Sequence, residues 1–317
     1  MPTYLLYQYA PSLPAAIAAT VCFGLLTICH AIHYCAQRTW FFTPFIIGGI
    51  FETTGYTGRI INSTQTPNWT TAPYIMQSLL LLVAPSLFAA SIYMILARII
   101  RLTDGDTRSV LPAHWITRVF VVGDVLAFLA QAGGELSPFL STIRPLLADK
   151  SLNHSGGLLA KSNSSTTTKT ANWIVITGLA IQIVFFAAFI LVSAIFHRRM
   201  RSHPTRRARR TRVPWSGFLW VLYLTNALIL GRSVFRVVEF AMGRDGVLQR
   251  REVWLYVFDG GVMALVMLLL LVWHPSRLRL RGGGRGVVRR EWGGKKRRKT
   301  RKTRRRMEEG DLRGGWV

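Results

Sequence analysis

Apolar residues gather along this chain into blocks of about 20, the length a helix needs to cross a hydrocarbon core of about 30 Å. Three blocks, 14–34, 74–97 and 173–196, contain no Asp, Glu, Lys or Arg. Four more, 41–61, 116–136, 215–240 and 253–273, are apolar but carry charges. The pattern predicts an all-α fold, an integral membrane bundle of seven transmembrane helices. A signal peptide is the other reading of the first block, but no basic segment precedes it and no small-residue cleavage site clearly follows, which favours a retained span.

Lys and Arg near span ends are retained on the cytoplasmic side. The loops on the side of the C-terminus hold 29 of them against 7 on the side of the N-terminus, and 12 against 7 without the tail. The expected orientation is N-terminus outside, C-terminus cytoplasmic. Four N-glycosylation sequons, at Asn62, Asn68, Asn153 and Asn163, all fall in the expected outside loops.

A net charge of +26 over 317 residues would suggest a nucleic-acid partner in a soluble chain. Here the charge lies mostly in the tail and in the loop 198–212, so no nucleic acid is expected. Residues 1–275 are read as the seven-span domain and 276–317 as a disordered, polybasic cytoplasmic tail, with runs such as "KKRRKTRKTRRR" and no apolar period. Beside anionic lipid headgroups each basic residue there could add up to about 1 kcal/mol of attraction. Cys22, Cys29 and Cys35 all belong to the first block or its inner end, so no extracellular disulfide is expected. His30 and His33 have no carboxylate nearby in sequence; no metal site and no cofactor are expected.

An ionised side chain at the bilayer centre costs about 2.5–3.5 kcal/mol even on the lenient insertion scale, so charges inside spans face the bundle interior and find partners. At 100° per residue, Arg232, Arg236 and Glu239 lie at about 0°, 40° and −20° around the sixth block and share one face. The same kind of spacing aligns Glu52, Tyr56 and Arg59 on the second, Asp124, Gln131 and Glu135 on the fourth, and Glu252, Tyr256 and Asp259 on the seventh. The simplest arrangement points all four stripes into one polar interior, open toward the outer leaflet. Six carboxylates against three arginines leave room for protons or for a cation such as an amine, with Asp124 and Asp259 as candidate binders. The plainer reading is that the outermost groups clamp helices together or reach interfacial water. Gln77 and Gln182 are read as bonds between helices, Pro85 as a kink, and the pair Gly133–Gly134 as places where a neighbour comes close.

In this order these residues resemble the fungal RTA-like family of seven-span proteins, also called lipid-translocating exporters. The resemblance runs through "ETTGYTGR" (52–59), "QSLLLLVAPSLFAASIYMILARII" (77–100), "GDVLAFLAQAGG" (123–134), "GLAIQ" (178–182), "GRSVFRVVEFAMGRDG" (231–246) and "EVWLYVFDG" (252–260), and covers roughly residues 9–275. It implies a plasma-membrane protein that confers resistance to toxic amphiphiles, with export or outward flipping of sphingoid long-chain bases in some relatives. The family's polar signature would map onto Glu52, Arg59, Asp124, Gln131, Arg232, Arg236, Glu239, Glu252 and Asp259. Glu135 stands where the resemblance leads one to expect a third glycine, and the arginine-rich tail is not part of the shared pattern.

Two functions stay open on the sequence. One is a transporter of amphiphilic lipids, which would draw on a gradient or a partner, since no Walker glycine loop occurs. The other is a seven-span receptor or sensor, although "LARIIRL" stands where an Asp-Arg-Tyr-like triplet would be expected. An enzyme is not expected, because the histidines lie away from the acidic stripes. The oligomeric state is left open.

Overall fold

The computed structural model describes residues 11–66, 69–148, 157–211, 213–242 and 251–278, with Tyr9 and Leu248, and only the backbone helix for 137–148 and 157–169. Asn68, Asn153 and the tail beyond 278 lie outside the described residues, as does the side chain of Asn163. Among the described residues all regular structure is helical.

The helices are α1 (Leu13–Gln37), α2 (Thr43–Thr64), α3 (Thr71–Leu102), α4 (Ala113–Ala148), α5 (Gly157–Ser202), the short α6 (Arg206–Arg210), α7 (Trp215–Ala241) and α8 (Glu252–Val272). Their ends follow local chemistry. Ser12 caps α1 by accepting the Ala15 N–H, Pro14 supplies a preset φ in its first turn, and Arg38 ends it in the left-handed region at φ 48°. Thr205 caps α6 in the same way and also donates its hydroxyl to the Thr103 carbonyl at the end of α3.

Six of these helices are long and apolar enough to cross a membrane, and the chain is a multi-pass membrane protein. The block at 41–61, expected as a seventh span, forms α2, a 22-residue helix too polar to join the six. The physical reason lies in where its polar groups go. Glu52, Arg59 and Asn62 are buried inside the protein, while the hydroxyls of Thr53, Thr54 and Thr57 donate to carbonyls one turn back at 2.8–2.9 Å. The threonine hydroxyls are thereby satisfied without water.

Neighbouring helices pack in chain order, and α8 closes the bundle against α1 and α7. The long α3 is the central helix, touching α2, α4 and α7. Its core is aromatic: Phe42 stacks on Phe45 and Phe45 on Phe88, at 4.4 and 4.5 Å between ring centroids.

Gly133 and Gly134 separate on inspection of their surroundings. A Cβ on Gly134 would sit 2.5 Å from Val175 Cγ2 and 2.7 Å from the Ala171 carbonyl oxygen, whereas one on Gly133 would meet nothing within 4 Å. Only Gly134 admits a close neighbour. Gly134→Ala is therefore expected to force α4 and α5 apart at a cost of about 1–3 kcal/mol. Gly133→Ala should hold or gain up to about 1 kcal/mol from helix propensity. Thermal unfolding of the two purified variants in detergent checks the contrast; equal midpoints would contradict the α4–α5 packing.

Candidate functional site

All four polar stripes turn into the protein, but they do not meet at one point. The first group forms around Arg59 of α2, which is fully buried. Its Nη2 donates to Glu252 Oε1 at 2.8 Å and to the Tyr9 hydroxyl at 2.7 Å, and its Nε donates to the Tyr256 hydroxyl at 3.1 Å. Glu252 in turn accepts the Ser12 N–H on both oxygens at 3.0 Å. One ion pair thus ties the beginnings of α1 and α8 to the far end of α2.

The second group lies on α7 and α8. Arg232 donates through Nε to Asp259 Oδ1, and Arg236 through Nη2 to Asp259 Oδ2 at 2.6 Å. Arg236 also bonds Glu239 Oε2 at 3.0 Å. Arg232 has a further acceptor, the Leu81 carbonyl of α3 at 2.9 Å. Pro85, four residues on, has no N–H to offer that carbonyl, so the proline leaves a backbone acceptor that the guanidinium fills.

Asp259 and Tyr256 lie in a π-helical stretch of α8, Leu255–Gly261. Each π-turn holds one residue more than an α-turn, which displaces Asp259 around the helix axis, and such stretches recur at functional sites. The same stretch brings Gly260 against Tyr56, where a Cβ would lie 2.5 Å from the tyrosine oxygen. Tyr56 is fully buried, with its ring stacked on Phe23 and Tyr256.

Glu52 of α2 is 2% exposed and lies within electrostatic reach of Asp259, Arg232 and Arg236. Its Oε1 makes no hydrogen bond among the described residues. Glu135 of α4 reaches Ser78, Arg236 and Glu239. Around two guanidiniums the fold therefore assembles four carboxylates, Asp259, Glu239, Glu52 and Glu135.

The other polar residues of α4 go elsewhere. Gln131 donates to Gln182 of α5 at 3.0 Å, and Gln182 donates to Ser86 at 3.4 Å, so the expected bond between helices is made and Gln131 is its partner. Asp124 faces Tyr93 of α3, close to its hydroxyl but outside hydrogen-bonding geometry. The single chamber expected from the four stripes is thus divided, because α4 aims Asp124 and Gln131 at α3 and α5 and Glu135 at α7.

Sequence reasoning missed Tyr9, Ser12, Tyr93 and the Leu81 carbonyl. Tyr93 carried a signal, as a phenol inside an uncharged block, and Tyr9 sits just before the first span at the expected level of Arg59. At the opposite end His274 joins His30 and His33, with ring centroids 6.1 and 5.0 Å away. Among the described residues no group of three or more His, Cys, Asp or Glu is arranged to hold a metal ion. Asn62 lies in the last turns of α2 with its side chain buried.

Comparison with known proteins matches the family described as RTA1 like protein over residues 45–138 and 151–281, the segments that carry the charged residues of both ion groups. The chain belongs to the RTA1-like family. Among yeast (Saccharomyces cerevisiae) relatives, it is 33% identical over 304 residues to protoporphyrin uptake protein 1, covering 85% of this chain and 91% of that one. To protein RTA1 it is 32% identical over 295 residues, with 85% and 84% covered. To the sphingoid long-chain base transporter RSB1 it is 26% identical over 299 residues, with 84% and 72% covered. No solved structure matches.

Proposed function

We propose that this RTA1-like protein translocates amphiphilic lipids that carry an amine, sphingoid long-chain bases among them, and so confers resistance to toxic amphiphiles. In this reading α2 is a seventh span, the N-terminus faces outside, the C-terminus is cytoplasmic and the membrane is the plasma membrane. The observation that carries it is the charge count around Arg232 and Arg236: four carboxylates and two guanidiniums, inside helices that cross the bilayer.

That balance favours a cation over an anion. Protoporphyrin is a dicarboxylate, and an anion entering here would have to displace Asp259 or Glu239 from an arginine. An ammonium group instead finds Glu52, whose Oε1 is unengaged. A hydrocarbon tail suits the rest of the molecule, because the helices present apolar faces outward. A head group can then pass between helices while the chain stays in lipid. The basic tail would rest on anionic headgroups of the inner leaflet.

The test is purified protein in liposomes, scored for movement of labelled sphingosine between leaflets. Movement above protein-free vesicles is expected. Its absence would overturn the translocase and favour the receptor. Topology has its own test. Asn68, Asn153 and Asn163 are proposed glycan acceptors, so enzymatic deglycosylation should raise gel mobility, and replacing all three by Gln should remove the shift. A protein whose mobility is unchanged by the enzyme would undo the assignment of those loops to the outside.

A further inference from the structure

Asp124 is a buried carboxylate that the ion network does not use. It is 2% exposed, and neither of its oxygens makes a hydrogen bond among the described residues. Among the described residues no charged group faces it. From α3 its neighbour is the Tyr93 hydroxyl, likewise unbonded. On its own helix the preceding turn contributes Phe120, 5.3 Å from both Tyr93 and Phe189 between ring centroids. From α5 come Phe189, 4.5 Å from Tyr93, and Phe185, whose ring lies so close that a Cβ on Gly123 would be 2.5 Å from it.

This surrounding is closed and apolar. Tyr93, Phe120 and Phe189 are between 0% and 3% exposed, so the carboxylate is walled by buried rings. A bare carboxylate in such a place costs several kcal/mol without a partner, and a proton is the ligand that removes the charge while taking no space. From this geometry we propose that Asp124 is a proton-binding site, separate from the lipid head-group site and coupled to it through α4. The coupling has a physical carrier. Glu135, eleven residues further along the same helix and about 16 Å away at 1.5 Å per residue, reaches Arg236 and Glu239.

When Asp124 gives up its proton, the ionised group cannot stay among the rings of α3 and α5. α4 must then shift or admit water, and Glu135 moves with it against Arg236. The step is a proton transfer alone: Asp124 O–H releases H⁺ to water on one side and takes one from the other. This rests on the translocase reading for its consequence, but not for the proton site itself.

Two measurements on the full-length protein in liposomes separate the two. Labelled sphingosine movement is followed with and without an imposed pH gradient. The natural protein is expected to respond to the gradient, and Asp124→Asn, which has the shape of the protonated acid, to move lipid equally in both conditions. An Asp124→Asn variant that still responds would overturn the proposal. Infrared difference spectra between acidic and alkaline buffer read the proton directly. A carbonyl stretch of a protonated carboxylic acid should appear in the natural protein and vanish in Asp124→Asn. If sphingosine does not move at all but that band is present, the translocase fails and the proton site stands. If the natural protein lacks the band, the proton site fails, whether or not Asp124→Asn folds.

Discussion

Asp259→Asn is expected to abolish resistance to an added amphiphile and to lower the thermal stability of the purified protein. Asp259 is the only carboxylate among the described residues that bonds two arginines, through a separate oxygen for each. Removing its charge leaves the 4%-exposed guanidinium of Arg232 bonded to neutral acceptors, the Leu81 carbonyl and the new amide oxygen, with no bonded carboxylate among the described residues. Breaking a buried pair from one side costs about 3–5 kcal/mol, chiefly because the remaining charge is uncompensated. A second variant separates structure from function. In Arg232→Leu/Asp259→Leu the lost charge has no orphaned partner, and Arg236 keeps Glu239, so stability should recover toward the natural value. Lipid movement should not recover. Unfolding midpoints in detergent and growth on the amphiphile check both arms; unchanged resistance in Asp259→Asn at normal expression would remove this carboxylate from the function.

Glu52→Gln has the opposite signature. Its Oε1 holds no partner, and its charge lies near Asp259, a like charge, as well as near the two arginines. Gln keeps the shape and deletes the charge, so the fold should stay within about 1 kcal/mol of the natural protein. A charge-assisted contact to a substrate amine is worth about 1.5–3 kcal/mol, or about 10- to 100-fold in rate or affinity. The expected outcome is a loss of that size in sphingosine movement with an unchanged unfolding midpoint. A loss of stability comparable to that of Asp259→Asn would instead make Glu52 part of the clamp. Together the two variants distinguish charges that hold helices from a charge held ready for cargo.

The membrane helices and their inward faces were legible in the sequence because both are local properties. Hydropathy over about 20 residues sets a span, and a turn of 3.6 residues fixes which side chains share a side. Glu52, Tyr56 and Arg59 are accordingly all buried on α2, and Arg232 and Arg236 lie together on α7. Pro85 was legible as an interruption, but its consequence was not. That the Leu81 carbonyl it leaves open should accept from Arg232, 151 residues away, depends on how α3 crosses α7.

Partner choice was decided by packing. Asp124 and Glu135 share a helix and a face, yet one is set among aromatic rings and the other at a cluster of charges, because α4 contacts different neighbours along its length. No charged residue marks the N-terminal segment, but closure of α8 against α1 brings Tyr9 and Ser12 onto the Arg59–Glu252 pair. The π-helical stretch that aims Asp259 has no marker in a periodicity computed at 100° per residue. By itself the sequence determined that this chain has inward-facing charges in membrane helices, and that acids outnumber bases among them, since both follow from residue type and spacing. Only the tertiary structure decided which acids are spent on arginines and which remain, since that depends on contacts between helices far apart in the chain.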